Sequence, residues 1–214
     1  MEEFKTIYCD FDGTITKKDV VNTFFEKYAD PKWLESEELW IDGKITSQEN
    51  AIAQVGLLSN VTPKELDEFL NSIELDDYFK EFLNFIKERN INFVILSDGF
   101  DLFINEILER NGINNISVFA NHLVYEDNNF RIEFPYHNSK CDIGAGMCKC
   151  LQIKEDKFCY IGDGTSDLCV AQKADILFAT KSLEKHCQEK GIKYYSFKSF
   201  KDVIKVLSNN LIKK

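Results

Sequence analysis

The 214-residue chain contains no long hydrophobic run, and it is poor in proline (3), histidine (3) and methionine (2). Without about 18 consecutive apolar residues there is no membrane-spanning helix to place. Basic residues are outnumbered as well: 26 Lys and Arg face 36 Asp and Glu, a formal net charge of −10. That balance argues against nucleic acid or an anionic membrane surface as a partner, because both call for a basic face. Any anion site must therefore be local, built from a metal and a few placed donors. His122, His137 and His186 share no helical spacing, so a histidine-based nuclease or protease is not expected. No arginine precedes Arg89.

No Cys-x-x-Cys pair occurs among the seven cysteines. An odd number of thiols, in a chain whose Met-Glu-Glu-Phe-Lys opening has neither the basic nor the apolar stretch of an export signal, points to reduced cysteines and the cytoplasm. Cys141, Cys148, Cys150 and Cys159 lie close in sequence and make a zinc site the sharp alternative. The missing pair and the position of Cys159 inside an expected strand weigh against it.

What is present is the composition of a soluble globular protein, 44% hydrophobic and 29% charged, long enough for one large domain or a core with a smaller inserted unit. The apolar run from Phe4 to Tyr8 predicts a short buried strand. Residues 17–72 read as about four short helices. Asp30-Pro31 and Thr62-Pro63 place a cap before a first-turn proline, and Thr46-x-x-Glu49 and Thr62-x-x-Glu65 are capping boxes. From Asp77 the pattern becomes alternation: a helix over Tyr78–Arg89, a strand over Asn92–Leu96, a helix over Asp101–Arg110. A hairpin follows over Val118–Tyr136, turning at Asp127-Asn128-Asn129. Strands at Lys157–Ile161, Ile176–Ala179 and Tyr194–Phe197 alternate with helices near Ser166–Lys173 and Ser182–Lys190, and a helix over Phe200–Ile212 closes the chain. This predicts an α/β fold, a doubly wound parallel sheet with a small helical cap inserted after the first strand. The expected division is 1–16 with 76–214 as the core, 17–75 as the cap, and 118–137 as a hairpin within the core.

The first strand stops where Asp10 and Asp12 flank a single Phe and a Gly-Thr turn follows. Two carboxylates that close repel unless a cation lies between them or one keeps its proton. Magnesium suits oxygen ligands of this kind. An EF-hand loop is excluded because its glycine falls later and a glutamate closes it. Two more expected strands end in polar groups, Ser97-Asp98-Gly99 and Gly162-Asp163-Gly164-Thr165-Ser166-Asp167. Parallel strands bring all three segments to one rim of the sheet, where ligands bind in such folds. Taken singly, Ser97 has a lesser second reading as a helix cap and Gly162-Asp163-Gly164 one as a turn.

Together these segments and a lysine between them resemble the haloacid dehalogenase superfamily, with its Asp-x-Asp-x-Thr, strand-end Ser or Thr, Lys and Gly-Asp-x-x-x-Asp motifs in order along essentially the whole chain. The early helical insertion is similar to the branch that holds phosphoserine phosphatase. Ile7–Thr16, Ser97–Asp101 and the Cys141…Cys148-Lys149 region look most like that branch's methylthio-ketopentenyl phosphate phosphatases. The resemblance implies a Mg²⁺-dependent phosphomonoesterase for a small phosphorylated metabolite, working through an aspartyl-phosphate. By it, Asp10 is the nucleophile and Asp12 the acid and then base. Asp10, Asp12 through its backbone carbonyl, and Asp163 hold the metal, while Asp167 orients a metal-bound water or the lysine. Ser97, Asp98 and Gly99 form the phosphate-binding segment, and Lys149 supplies the fixed positive charge, with Lys140 as the alternative.

A phosphoserine phosphatase would carry a cap arginine for the substrate carboxylate. Asp19 stands near the position of that branch's cap glutamate, but the missing arginine weakens the reading. The same motifs would also serve a phosphotransferase or a non-catalytic phospho-ligand binder. The Asp10 and Asp12 pair argues against the binder, which has no use for a second acid. Phe24, Phe25, Trp33 and Trp40 read as core aromatics, with an apolar cap pocket as the alternative.

Overall fold

A computed structural model of the chain describes residues 4–141 and 144–211. The first three residues, Met1 to Glu3, and Ile212 at the end of the expected last helix lie outside the described residues.

Seven strands form one sheet in the order β4-β3-β2-β1-β5-β6-β7. They are β1 (Thr6–Cys9), β2 (Asn92–Phe100), β3 (Ser117–Glu126), β4 (Asn129–Glu133), β5 (Cys159–Gly162), β6 (Ile176–Ala179) and β7 (Tyr195–Ser196). All neighbours pair in parallel except β3 with β4, the hairpin that forms one edge. The hairpin closes through Asp127 and Asn128, both at positive φ (50° and 60°). Asn and Asp tolerate that conformation, and it matches the twist of the flanking strands.

Burial alternates across the central strands. Ile7, Cys9, Ile95, Cys159, Ile161 and Phe178 pack on one face of the sheet. Tyr8, Leu96, Tyr160, Leu177 and Ala179 pack on the other. A strand covered on both faces has no polar side to show, which is why these segments read as continuous apolar runs. The first face is covered by α5 (Phe79–Lys87), α6 (Asp101–Arg110) and α10 (Phe200–Leu211). The second is covered by α7 (Lys149–Gln152), α8 (Leu168–Ala171) and α9 (Lys181–Lys190).

Between β1 and α5 come four nine-residue helices, α1 (Val20–Tyr28), α2 (Trp33–Ile41), α3 (Ser47–Val55) and α4 (Pro63–Asn71). Both capping boxes form, Thr46 with Glu49 and Thr62 with Glu65. At Asp30-Pro31 the helix starts later than expected. Asp30 accepts from Lys32 N, a tight turn intervenes, and α2 begins at Trp33. The chain leaves and re-enters the core side by side: Thr16 bridges Leu75, Lys17 N bonds Glu74 O at 3.0 Å, and Asp76 N bonds Ile15 O at 2.8 Å. Phe24 is fully buried, its ring 4.8 Å from both Phe69 of α4 and Phe103 of α6. Phe25 and Trp33 are buried as well, so three of the four aromatics are core and Trp40 alone faces a cavity.

Two departures from the expected elements matter for the site. The strand expected to end at Leu96 runs on to Phe100, because pairing with β3 slips after Leu96 and resumes at Phe100–Asn121. Ser97, Asp98 and Gly99 occupy that slip, where backbone groups are released from the ladder. The helix expected at Ser166–Lys173 is instead a 3-10 turn, Thr165–Asp167, followed by the short α8. The Asp167 carboxylate accepts from Asp163 N at 3.0 Å and Gly164 N at 2.9 Å, which tightens the chain there.

Candidate active site

β1 is the point at which strand order reverses, with β2 on one side and β5 on the other. A crevice opens beyond the carboxyl ends of strands at such a point. Asp10 follows β1 and is tied to β5 by its own N–H, which bonds Ile161 O at 2.9 Å. Asp163 follows β5, and Asp167 lies four residues further on. One carboxylate oxygen from each of Asp10, Asp163 and Asp167 lies within 4.8 Å of the others. Asp10 and Asp167 are buried and Asp163 is half-buried.

Lys149 supplies the opposing charge. Its Nζ donates to Asp10 Oδ1 at 2.7 Å and to Asp167 Oδ1 at 2.5 Å, with its side chain fully out of solvent. Burial alone would lower the pKa of the ammonium. The two carboxylates outweigh it and hold the group above its ordinary value. Burial pushes the Asp10 carboxyl well up, with Lys149 pulling the other way and Asp167 and Asp163 adding to the rise. A divalent cation among the three carboxylates would favour their charged forms. An all-oxygen donor set fits a hard cation of that kind.

Asp12 is aimed elsewhere. Its carboxylate accepts from Val20 N at 3.0 Å and from Ser97 Oγ at 3.2 Å. Burial, then the negative charge of Asp19, push its carboxyl up to about 7, against the lowering effect of those hydrogen bonds. A carboxyl at that value can hold a proton near neutral pH and release it again. Ser97 also accepts from Gly99 N at 2.9 Å. A side chain at Gly99 would collide with Asp12 Oδ2 and approach Ser97 Oγ to 3.1 Å, so glycine is required for the Asp12 carboxylate to come this close.

Asp98 is engaged away from the cluster. Its carboxylate accepts from Ser47 Oγ of α3 at 2.5 Å, Met147 N at 2.8 Å and Asn121 Nδ2 at 3.1 Å. It thus links the helical insertion, β3 and the loop before Lys149. Lys140 is exposed, and its backbone N–H caps onto Asn138 Oδ1 at 3.0 Å. Of the two candidate lysines, Lys149 is the one brought to the carboxylates. Among the described residues no cysteine enters a group of three metal-ligand side chains. Cys150 Sγ bonds Cys169 O at 3.0 Å, and Cys159 is buried within β5.

The rim opens into a cavity of about 300 Å³ lined by Asp10, Asp12, Ser97, Gly99 and Asp163 below and by Asp19, Glu37 and Trp40 among others above. A larger cavity, about 770 Å³, lies at the opposite ends of β1 and β2 around Thr6 and Asn92, remote from the three aspartates.

The family model described as haloacid dehalogenase-like hydrolase matches residues 7–172. The chain belongs to the haloacid dehalogenase-like hydrolase family. It is 34% identical over 209 residues to a Bacillus cereus protein named 2-hydroxy-3-keto-5-methylthiopentenyl-1-phosphate phosphatase, covering 92% of this chain and 93% of that one. A protein of the same name from Geobacillus thermodenitrificans is 31% identical over 211 residues, covering 95% and 96%. Two solved phosphoserine phosphatases, a substrate-bound complex and a phospho-aspartyl intermediate analogue, superimpose with TM-scores of 0.69 and 0.70. Their identities are 20% and 22%, and each alignment covers 96% of this chain and 99% of the other, so they speak to the fold. The chain is a phosphatase of the haloacid dehalogenase-like family, and no helix among its described residues is long and apolar enough to cross a membrane.

Of three further side chains at this haloacid dehalogenase-like site, Thr14 had a signal in the sequence, as the threonine of the Asp-x-Asp-x-Thr motif, and Tyr160 and Lys181 had none. Tyr160, inside β5, donates its hydroxyl to Asp167 Oδ1 at 2.5 Å. Thr14 donates to Asp163 Oδ1 at 3.2 Å. Lys181, at a φ of +47°, reaches Asp163 Oδ2 at 2.9 Å and Gly13 O at 2.7 Å. The alternating burial of β5 could have flagged Tyr160 as a polar tip on a buried body, whereas Lys181 reads as one more surface lysine.

Proposed function

We propose that the protein is a Mg²⁺-dependent phosphomonoesterase that hydrolyses a small phosphorylated metabolite through an aspartyl-phosphate on Asp10. The observation that carries this reading is the meeting of Asp10, Asp163 and Asp167 with the buried Lys149 ammonium at the strand-order switch. A phosphoryl group brings three charged oxygens, and catalysis of its transfer is mainly positioning plus charge stabilisation.

In this reading an Asp10 oxygen attacks phosphorus and forms the acyl-phosphate bond as the ester oxygen departs. The protonated Asp12 carboxyl gives its proton to that leaving oxygen. Asp12, now a carboxylate, takes a proton from the water that next attacks phosphorus, which breaks the acyl-phosphate bond and restores Asp10. Mg²⁺ held by Asp10, Asp163 and the Asp12 backbone carbonyl would offset repulsion between anionic nucleophile and anionic substrate. Ser97 and Gly99 N–H would exchange their mutual hydrogen bond for bonds to phosphate oxygens, with Lys149 balancing charge. Asp98 acts by holding this segment against α3. Residues 17–75 serve as the cap over the core formed by 1–16 and 76–214, and 118–137 is the core's edge hairpin. The curated relatives are named for a methylthio-ketopentenyl phosphate, which makes that ester the first substrate to test.

The test is p-nitrophenyl phosphate hydrolysis with and without EDTA, beside Asp10→Asn. The expected result is turnover that EDTA abolishes and Mg²⁺ restores, with the variant lower by at least about 10³-fold. Metal-independent turnover, or an active variant, overturns the reading. A panel holding the methylthio-ketopentenyl ester, phosphoserine, phosphocholine and pyridoxal phosphate then ranks substrates. A preference for phosphoserine would reverse the inference from the missing cap arginine.

A further inference from the structure

The upper wall of the 300 Å³ cavity is built from side chains of α2 and α3 that the phosphoryl chemistry does not use. Asn50 and Gln54, one helical turn apart on α3, are 6% and 4% exposed. Both turn their amide nitrogens onto a single oxygen, Glu37 Oε2 of α2, at 2.9 and 2.8 Å. That choice fixes the orientation of the Asn50 amide, since a flip would set its oxygen against a carboxylate. The Asn50 carbonyl oxygen is left buried without a donor. An orphaned buried acceptor is unfavourable, and a donor from a bound molecule would relieve it.

The charge of the wall narrows what that molecule can be. Asp19 and Glu37 line it, and among the described lining residues there is neither Lys nor Arg. A carboxylate on the leaving group would meet negative charge with no cation among those lining residues, Lys181 beside them being paired with Asp163, whereas a hydroxyl or an ammonium would meet acceptors.

We propose that Glu37, Asn50 and Gln54 form a leaving-group subsite that selects phosphate esters of small alcohols bearing hydrogen-bond donors and no carboxylate. This rests on the phosphomonoesterase reading and deepens it. A site with a buried unpaired acceptor rejects an analogue that lacks the donor far more strongly than it rejects a change in apolar bulk.

The experiment compares kcat/KM for four esters: glycerol 3-phosphate, O-phosphoethanolamine, phosphoserine and n-propyl phosphate. One of the two donor-bearing, carboxylate-free esters is expected to exceed both propyl phosphate and phosphoserine by at least about tenfold. Asn50→Leu, which keeps the branched skeleton and removes the acceptor, is expected to cut the ratio of that ester to propyl phosphate by at least about fivefold. Because both esters are read on one preparation, partial unfolding lowers both rates and leaves the ratio untouched. Glu37→Gln, at a half-buried position, is expected to lower the same ratio and decides the matter if Asn50→Leu yields no folded protein. Whether the phosphoethanolamine or the glycerol 3-phosphate rate is the one that falls separates an ammonium from a hydroxyl as the donor. Turnover of all four esters at similar efficiency, a preference for phosphoserine, or ratios unmoved by the variants would overturn the subsite and leave the phosphatase reading standing. No Mg²⁺-dependent turnover of any ester or of p-nitrophenyl phosphate would overturn both.

Discussion

Lys149 Nζ lies 2.7 Å from Asp10 Oδ1, with both side chains shut away from water. The same nitrogen reaches Asp167 Oδ1, so one ammonium balances two carboxylates. A buried pair of this kind adds little net stability over a well-packed apolar pair, but removing one partner strands the other.

Lys149→Met should therefore destabilise the metal-free protein by about 3–5 kcal/mol, because Asp10 and Asp167 lose their shared counter-charge. Phosphatase turnover should fall by about 10²-fold or more. Lys149→Arg should restore little of either, since a planar guanidinium does not fit a pocket shaped to a compact ammonium. Urea titration and p-nitrophenyl phosphate kinetics check both parts. Near-wild-type turnover in Lys149→Met would remove this lysine from the site.

Tyr160→Phe removes a hydroxyl bonded to Asp167 Oδ1 while keeping the ring that fills the core. The cost should be about 1–2 kcal/mol of stability. Affinity for Mg²⁺, followed by calorimetry without substrate, should drop by up to about tenfold, the low end for groups that support a metal site from outside its ligands. Unchanged affinity would show that Asp167 is held well enough by Asp163 N, Gly164 N and Lys149.

Gly99→Ala puts a methyl group into Asp12 Oδ2. Asp12 must then swing off its bonds to Val20 N and Ser97 Oγ, or the segment after β2 must move. Turnover should drop by about 10²-fold with a smaller change in melting temperature, because the displaced group serves the chemistry more than the core. Equal activity in the variant would mean that the close approach of Gly99 and Asp12 has no bearing on the reaction.

Glu49 and Glu65 each accept from the backbone and hydroxyl of a capping threonine, and those bonds hold both carboxyls below the ordinary glutamate value of 4.5. A depressed folded-state pKa contributes stability above the unfolded value and loses it as pH falls through the folded one. Urea midpoints of wild type and Glu49→Gln/Glu65→Gln should differ at neutral pH and converge as pH falls below 4.5 and through the depressed folded-state values. Glu49 is exposed and Glu65 half-buried at the surface, so the gap should be small and salt-sensitive. A gap that widens on acidification would contradict the sign.

Much of the fold could be read without coordinates because its causes are local. Capping boxes at Thr46 and Thr62, the apolar runs of β1, β2, β5 and β6, and the hairpin turn at Asp127-Asn128 each involve residues a few positions apart. Misread boundaries share one feature: backbone bonding that departs from the regular ladder. Asp167 shortening the helix after β5, and the slip of β2 past Ser97, are of that sort.

The order of Asp10, Ser97, Lys149 and Asp163 along the chain identified the kind of chemistry, because parallel strands deliver their carboxyl ends to one rim whatever joins them. Which lysine turns inward was a different matter. The Cys148-Lys149 setting favoured Lys149 by resemblance, but residue type does not separate it from Lys140, and the packing of α7 against β2 and α8 is what buries one and leaves the other in water. The same holds for Asp98, a member of a site segment by position yet spent on Ser47, Met147 and Asn121. It holds too for Asn50, whose stranded oxygen exists because Glu37, 13 residues away, takes its nitrogen. Residue type and spacing determine which groups can meet; the allocation of each hydrogen bond and each buried charge is set by three-dimensional competition among neighbours, because a buried polar atom must find its partner in space rather than in sequence.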